Sequence, residues 1–351
     1  MICFIFELSA NLLVCFSCVV PQGYWEERGI EIVVMDVPHT HGIFNFFKGG
    51  YVMNTRKSSF EMILLLAGLF CVWLTTGAQA ADRVVVVPLG GGKPLQNVIT
   101  VAKAGGKFTN PVAAMNSITD ASATNPYLIL IAPGQYTLTS ALVMKPFVNV
   151  SGCSETVTWL IGAISSSNIN ETSAIVKGAN NTTLSNLSVS NTGGGENSFG
   201  IFTTGLNVTA RLQQLSVYAK GGETNAGVLN YNSSSPFISG VNIAVQGIGV
   251  QVSIGIYNVI GSSPTMLGVN ALVCGGTANM GVYNVSNSSP LIDGANILVW
   301  GAAGDDIGVS NRSSNNVTIR RSTISGDTDG LSNSTSTNTR VSQSTVINGV
   351  S

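Results

Sequence analysis

The sequence predicts an all-β fold, a parallel β-solenoid of about 8–9 coils in which one strand-and-turn unit repeats along the chain. Three observations predict it. Of the 351 residues only 9% are charged, against roughly 25% in an average soluble domain. Gly, Ser, Thr and Asn stand in their place, which removes the Glu/Lys/Leu faces that long helices need. A Gly-x-x-Asn quartet recurs at Gly227–Asn230, Gly255–Asn258, Gly281–Asn284, Gly308–Asn311 and Gly330–Asn333, in steps of 28, 26, 27 and 22 residues. About ten residues after each quartet comes a second aliphatic element, bounded by Gly, Asn, Ser or Ser-Pro turns.

Net charge is −1 and mean hydropathy +0.34. That balance provides no basic surface for nucleic acid. Continuous apolar runs occur only near the N-terminus, which excludes a multi-span membrane protein.

Residues 53–80 read as a secretory signal: Arg56 and Lys57, an apolar core over Met62–Leu74, then Ala78-Gln79-Ala80 as a cleavage site. A signal should begin a chain, so residues 1–52 are expected to be an upstream extension mis-assigned to the protein. A genuine extension with an anchor at Ile2–Val20 is the alternative. The mature chain then starts at Ala81, outside the bacterial cytoplasm: secreted, periplasmic or on the cell surface, with no stable membrane span. It has no histidine, because His39 and His41 lie upstream, and its cysteines are Cys153 and Cys274. At about four coils of roughly 4.8 Å each, those two thiols are too far apart to pair.

An N-terminal strand and short helix are expected within residues 81–126. Asn110 is placed as an N-cap, Pro111 sits at N1, and Val112, Met115 and Ile118 form the apolar stripe. The β-helix proper is expected over residues 127–351. In each coil the second element, for example Leu184/Leu187/Val189 or Ile238/Val241/Ile243, points inward. Ser188, Ser216, Asn242, Asn270, Asn296, Thr323 and Thr345 then form a polar outward row. Asn230, Asn258, Asn284, Asn311 and Asn333 fall at one turn and are expected to stack as a structural ladder. The last coil is short and Ser/Thr-rich, and a bare β-helix end invites edge pairing. Truncation at the C-terminus or self-association through that end is therefore expected.

Tyr127-Leu-Ile-Leu-Ile131-Ala-Pro133-Gly134-Gln-Tyr136, Val148-Asn-Val150-Ser-Gly152 and Thr158-Trp-Leu-Ile161-Gly162 resemble the opening strands of the pectin lyase-like superfamily. The resemblance covers residues 110–351. It implies a single-stranded right-handed parallel β-helix, with the short helix capping its N-terminal end. It implies no one activity.

The known activities of that superfamily leave an incomplete match. Asp305-Asp306 resembles the paired aspartates of polygalacturonases, but the mature chain lacks their histidine. The contexts of pectin methylesterase motifs are missing. Lyase-like chemistry keeps Asp305, Asp306, Asp327 and Asp329 as candidate Ca²⁺ ligands, with Arg320 and Arg321 close in sequence. A solvated acidic turn is the alternative, no cofactor being expected otherwise. Glu223 stands alone. If Ile201, Ile256 and Val282 face in, Phe202, Tyr257 and Tyr283 face out, one per coil, as candidates for stacking on sugar rings.

The expected function is a non-enzymatic surface, adhesive or glycan-binding role, with a polysaccharide or cell-surface glycan as partner. The alternative is a lyase or glycoside hydrolase acting on acidic polysaccharide.

Overall fold

The computed structural model describes residues 2–9, 12–18, 31–36, 97–248 and 251–348. The expected signal segment 53–80 and the start of the mature chain lie outside them. Within the N-terminal unit, Ile2–Ser9, Leu12–Cys18 and Glu31–Asp36 form a small antiparallel sheet. Among the described residues no helix is long and apolar enough to cross a membrane.

The unit from Pro88 onward is a parallel β-solenoid. Each coil places one strand in an eight-stranded sheet, in the order 142–143, 174–177, 197–204, 224–231, 252–259, 278–285, 306–312 and 329–334. The other strands of each coil join a sixteen-stranded sheet that begins at Asn97–Val101. Registers are direct: Val228 pairs with Ile256, which pairs with Val282, and Leu215 pairs with Val241. Like residues therefore stack from coil to coil, as the repeat requires.

The second aliphatic element is spaced three residues and then two because its strand turns a corner. The corner residue has a left-handed backbone: Asn186 (φ 56°), Gln214 (49°), Gly240 (59°), Gly268 (58°), Gly294 (64°), Arg321 (48°) and Gln343 (51°). Asn and Gly tolerate that region at low cost. The corner divides the wide sheet into two faces, so each coil has three sides. Ile201, Val228, Ile256, Val282, Val309 and Leu331 meet Leu187, Leu215, Val241 and Val269 in one continuous apolar core.

The recurrent glycine of the quartet answers to packing rather than to φ. A Cβ on Gly281 would collide with the side chain of Ile297 across the core and with the carbonyl of Gly308 in the next coil. Gly227 against Ile243 and Gly308 against Ile324 repeat this contact.

The short helix spans Pro111–Asn116. Asn110 Oδ1 accepts from the amides of Val112 (2.8 Å) and Ala113 (3.4 Å), and Pro111, Ala114 and Met115 are buried. Cys153 is exposed, Cys274 is half-buried, and both are free thiols.

Two polar rows run inside the solenoid. Asn230 Nδ2 donates to Asn258 Oδ1 (2.8 Å), Asn258 to Asn284 (2.8 Å), Asn284 to Asn311 (2.7 Å) and Asn311 to Asn333 (2.9 Å). Asn230 to Asn311 are fully buried. A further buried row, Ser198, Asn225, Ser253, Asn279 and Asp306, lies two residues before the glycines. The spacing made this row visible, but the expectation did not include it.

Candidate functional site

The side of the wide sheet beyond the corner carries a shallow open groove of about 510 Å³. Strands Thr158–Gly162, Thr182–Asn191, Ala210–Lys220, Phe237–Gln246, Asn270–Cys274 and Asn296–Trp300 run across its floor. Two outward rows form it. Trp159, Ser188, Ser216, Asn242, Asn270 and Asn296 are in register, and so are Ser190, Tyr218, Ala244, Leu272 and Leu298. The first row spans five inter-strand steps, or about 24 Å.

Strand alternation sends these residues out while Leu160, Val189, Val217, Ile243, Ala271 and Ile297 go in. Trp159 and Tyr218 are half-buried, and Leu272 and Leu298 are 45% and 43% exposed. The Trp159 indole N–H donates to the Thr156 carbonyl (3.1 Å), which fixes the ring.

Glu155 governs the polar row. The turn that carries it is anchored by buried Thr158, whose Oγ1 accepts from the Cys153 amide at 3.1 Å. Ser188 Oγ donates to the Glu155 carbonyl (2.5 Å), and Ser216 Oγ donates to Glu155 Oε2 (2.6 Å). Asn242 Nδ2 donates to the same carboxylate oxygen (3.2 Å), and Asn270 Nδ2 donates to Asn242 Oδ1 (2.8 Å). The expected outward row is therefore present, but Ser188 is buried under the Glu155 turn.

The residues singled out from sequence lie elsewhere. Phe202 faces outward from the eight-stranded sheet, as its register requires, but is only 2% exposed. It belongs to a second apolar cluster with Phe199, Ala226, Leu229 and Ile254. The expectation of an open Phe202 ring is corrected on that ground. Tyr257 and Tyr283 stack on each other, ring centroids 5.3 Å apart and planes 10° from parallel. Burial, and then the neighbouring Tyr283, hold the Tyr257 phenol above its ordinary value, while Arg312 opposes the shift.

The four aspartates do not converge. Asp306 points inward, accepting from Asn279 Nδ2 (2.7 Å) and from the Ala302 amide (2.9 Å). Its neighbour one coil on is Thr328, whose Oγ1 accepts from the Asp306 amide at 3.0 Å. Asp329 pairs in register with Ile307 and so faces the opposite side of the sheet. Asp305 and Asp327 are exposed in the turns. Among the described residues no group of three or more His, Cys, Asp or Glu is placed to hold a metal ion.

Arg320 and Arg321 serve a carboxylate that the sequence reading missed. Arg320 donates to Asp293 Oδ2 (2.9 Å) and Arg321 Nε to Asp293 Oδ1 (2.9 Å), with Asp293 3% exposed. A signal existed: Asp293 precedes the corner residue, as Arg320 does one coil later.

Each coil is thus a three-sided parallel turn, stacked in register on the next. The architecture is a parallel β-helix. No protein-family model and no curated protein matches the chain. Among solved structures, the A-module of a mannuronan C-5 epimerase from Azotobacter vinelandii overlaps 66% of this chain and 68% of its own, at 16% identity and TM-score 0.41. A carrot pectin methylesterase overlaps 67% of this chain and 75% of its own, at 14% identity and TM-score 0.43. One from Aspergillus niger overlaps 73% and 87%, at 14% identity and TM-score 0.41.

Proposed function

We propose that this chain is a secreted bacterial β-helix without enzymatic activity that binds glycan chains in the groove beyond the corner. The observation that carries this reading is the groove's composition. A fixed indole, a phenol and two leucines provide flat apolar contact beside a straight row of carboxamides. Sugar rings offer the same pairing, apolar C–H faces with hydroxyl edges. The row repeats at the coil spacing, which suits an extended polymer better than a small molecule.

The Glu155 carboxylate is bound by Ser216 and Asn242, two residues that line this groove. Glycoside hydrolysis calls for two carboxylates flanking one bond, and the residues lining the groove supply none. The test has two arms. Affinity electrophoresis of the full chain through gels containing soluble polysaccharides should show retardation, which Trp159→Ala abolishes. A uronic-acid lyase assay on acidic polysaccharides, with and without Ca²⁺, should show no unsaturated product. Robust product would replace this reading with the lyase alternative.

A further inference from the structure

We propose that the groove selects neutral, hydroxyl-rich glycan chains and rejects polyuronates. This rests on the reading of the groove as a glycan site and adds the class of ligand.

Charge separates the two classes of chain. The groove is lined by aromatic, aliphatic, Ser and Asn side chains, with no Lys or Arg among them. Lys220 stands beside Tyr218, its ammonium 5.6 Å from that ring's centroid. The fixed charge on the polar row is the Glu155 carboxylate. A polyuronate carries one negative charge per residue. Its recognition draws on guanidinium or ammonium donors, or on a bridging cation. Along this groove it would find no Lys or Arg in the lining, a cation at the edge in Lys220 beside Tyr218, and a like charge at Glu155 on the Ser216–Asn242 row.

The hydrogen bonds of the polar row have a fixed direction. An Asn side chain can present either its oxygen or its amide to a neighbour. Glu155 settles the choice, because a carboxylate only accepts. Asn242 must turn its Nδ2 toward Glu155, leaving Oδ1 to receive the Nδ2 of Asn270. Each amide in the sequence Asn270, Asn242, Glu155 donates toward the carboxylate, and Asn270 Oδ1 is left as an acceptor at the far end of the run. Asn296 follows it one strand on, exposed, in the same row. An acceptor at that end takes a hydrogen bond from a hydroxyl and repels a carboxylate oxygen. Neutral sugars supply hydroxyl donors at every residue.

The apolar row favours the same class. Leu272 and Leu298 continue the line of Tyr218 and keep nearly half their surface open. Contact with these side chains favours the C–H faces of uncharged pyranose rings. A chain that must keep carboxylates hydrated gains less from it.

The test is equilibrium binding by affinity electrophoresis and calorimetry with the full chain, at low and at physiological salt. The probes are cellohexaose and soluble mannan against polygalacturonate and alginate. The result expected is binding of at least one neutral probe, with polyuronate binding at least tenfold weaker. Trp159→Ala should weaken neutral binding at least tenfold, with Tyr218→Ser as a second variant should the first fail to fold. Glu155→Gln, which keeps an acceptor and removes the charge, should narrow the neutral-to-uronate ratio at least threefold.

Polyuronate binding stronger than neutral binding, and lost in Trp159→Ala, would overturn the selectivity and leave the groove as a glycan site. No binding of either class, or binding indifferent to Trp159 and Tyr218, would overturn both. An unchanged ratio in Glu155→Gln would overturn the assignment of selectivity to that carboxylate.

Discussion

Asn242 Nδ2 donates to Glu155 Oε2 at 3.2 Å, a contact between residues 87 positions apart in the chain. Ser216 reaches the same oxygen at 2.6 Å, so one turn ties down three successive coils. Glu155→Ala should therefore loosen the groove as well as discharge it. A stability loss of about 1–2 kcal/mol is expected for a half-buried, charge-assisted pair of hydrogen bonds. Urea unfolding of the two proteins checks this, and an unchanged midpoint would mean that the contact is incidental.

The asparagine ladder makes a sharper demand. Asn258 is fully buried, accepts from Asn230 and donates to Asn284, each at 2.8 Å. Asn258→Leu leaves a buried donor and a buried acceptor without partners. The expected cost is about 2–4 kcal/mol. Asn333→Leu, at the half-exposed end of the ladder, should cost clearly less. Chemical denaturation of both variants measures the difference.

The in/out phase of the strands is tested by a pair of aspartates. Ile256 is fully buried in the core, and Asn270 is exposed on the outward row. Ile256→Asp should destabilise by more than about 3 kcal/mol, since it leaves an unpaired charge among aliphatic side chains. Asn270→Asp forfeits one exposed hydrogen bond and should cost under about 1 kcal/mol. Equal damage from the two would contradict the register.

Tyr257 gives a pH dependence with a fixed sign. Burial and Tyr283 raise its folded value above the ordinary 10.0. The folded state then holds the phenolic proton more tightly than the unfolded chain does. That contribution is complete below pH 10 and is lost as pH climbs through the folded value. Alkaline unfolding, followed by phenolate absorbance, should begin above pH 10. Tyr257→Phe should flatten that limb of the curve, and an unaltered limb would place the titration elsewhere.

Much of this fold was legible because a solenoid writes its period into the chain. Gly255-Ile256-Tyr257-Asn258 and Gly281-Val282-Tyr283-Asn284 revealed the coil length, the inward aliphatic stack and the ladder. The corner was half legible. The three-then-two spacing at Ile238/Val241/Ile243 was visible, but its cause, a left-handed residue at Gly240, is a backbone property shared by Gln214 and Arg321, which give no such warning. The groove was not legible. Trp159 and Glu155 lie in an early coil with no repeat partner of their kind, and Glu155 acts over 61 and 87 positions. The outward aromatic row was read correctly in phase, yet phase does not say whether an outward ring is free, and Phe202 is not.

Hydroxyl-radical footprinting of the full chain, with and without a saturating bound glycan, tests the central claim most directly, because it reads side chains on both faces at once. The account predicts that Trp159, Tyr218, Leu272 and Leu298 lose reactivity together, while Tyr257 and Tyr283 keep theirs. Protection of Tyr257 and Tyr283 with the groove unaffected would move the glycan to the eight-stranded sheet and contradict it.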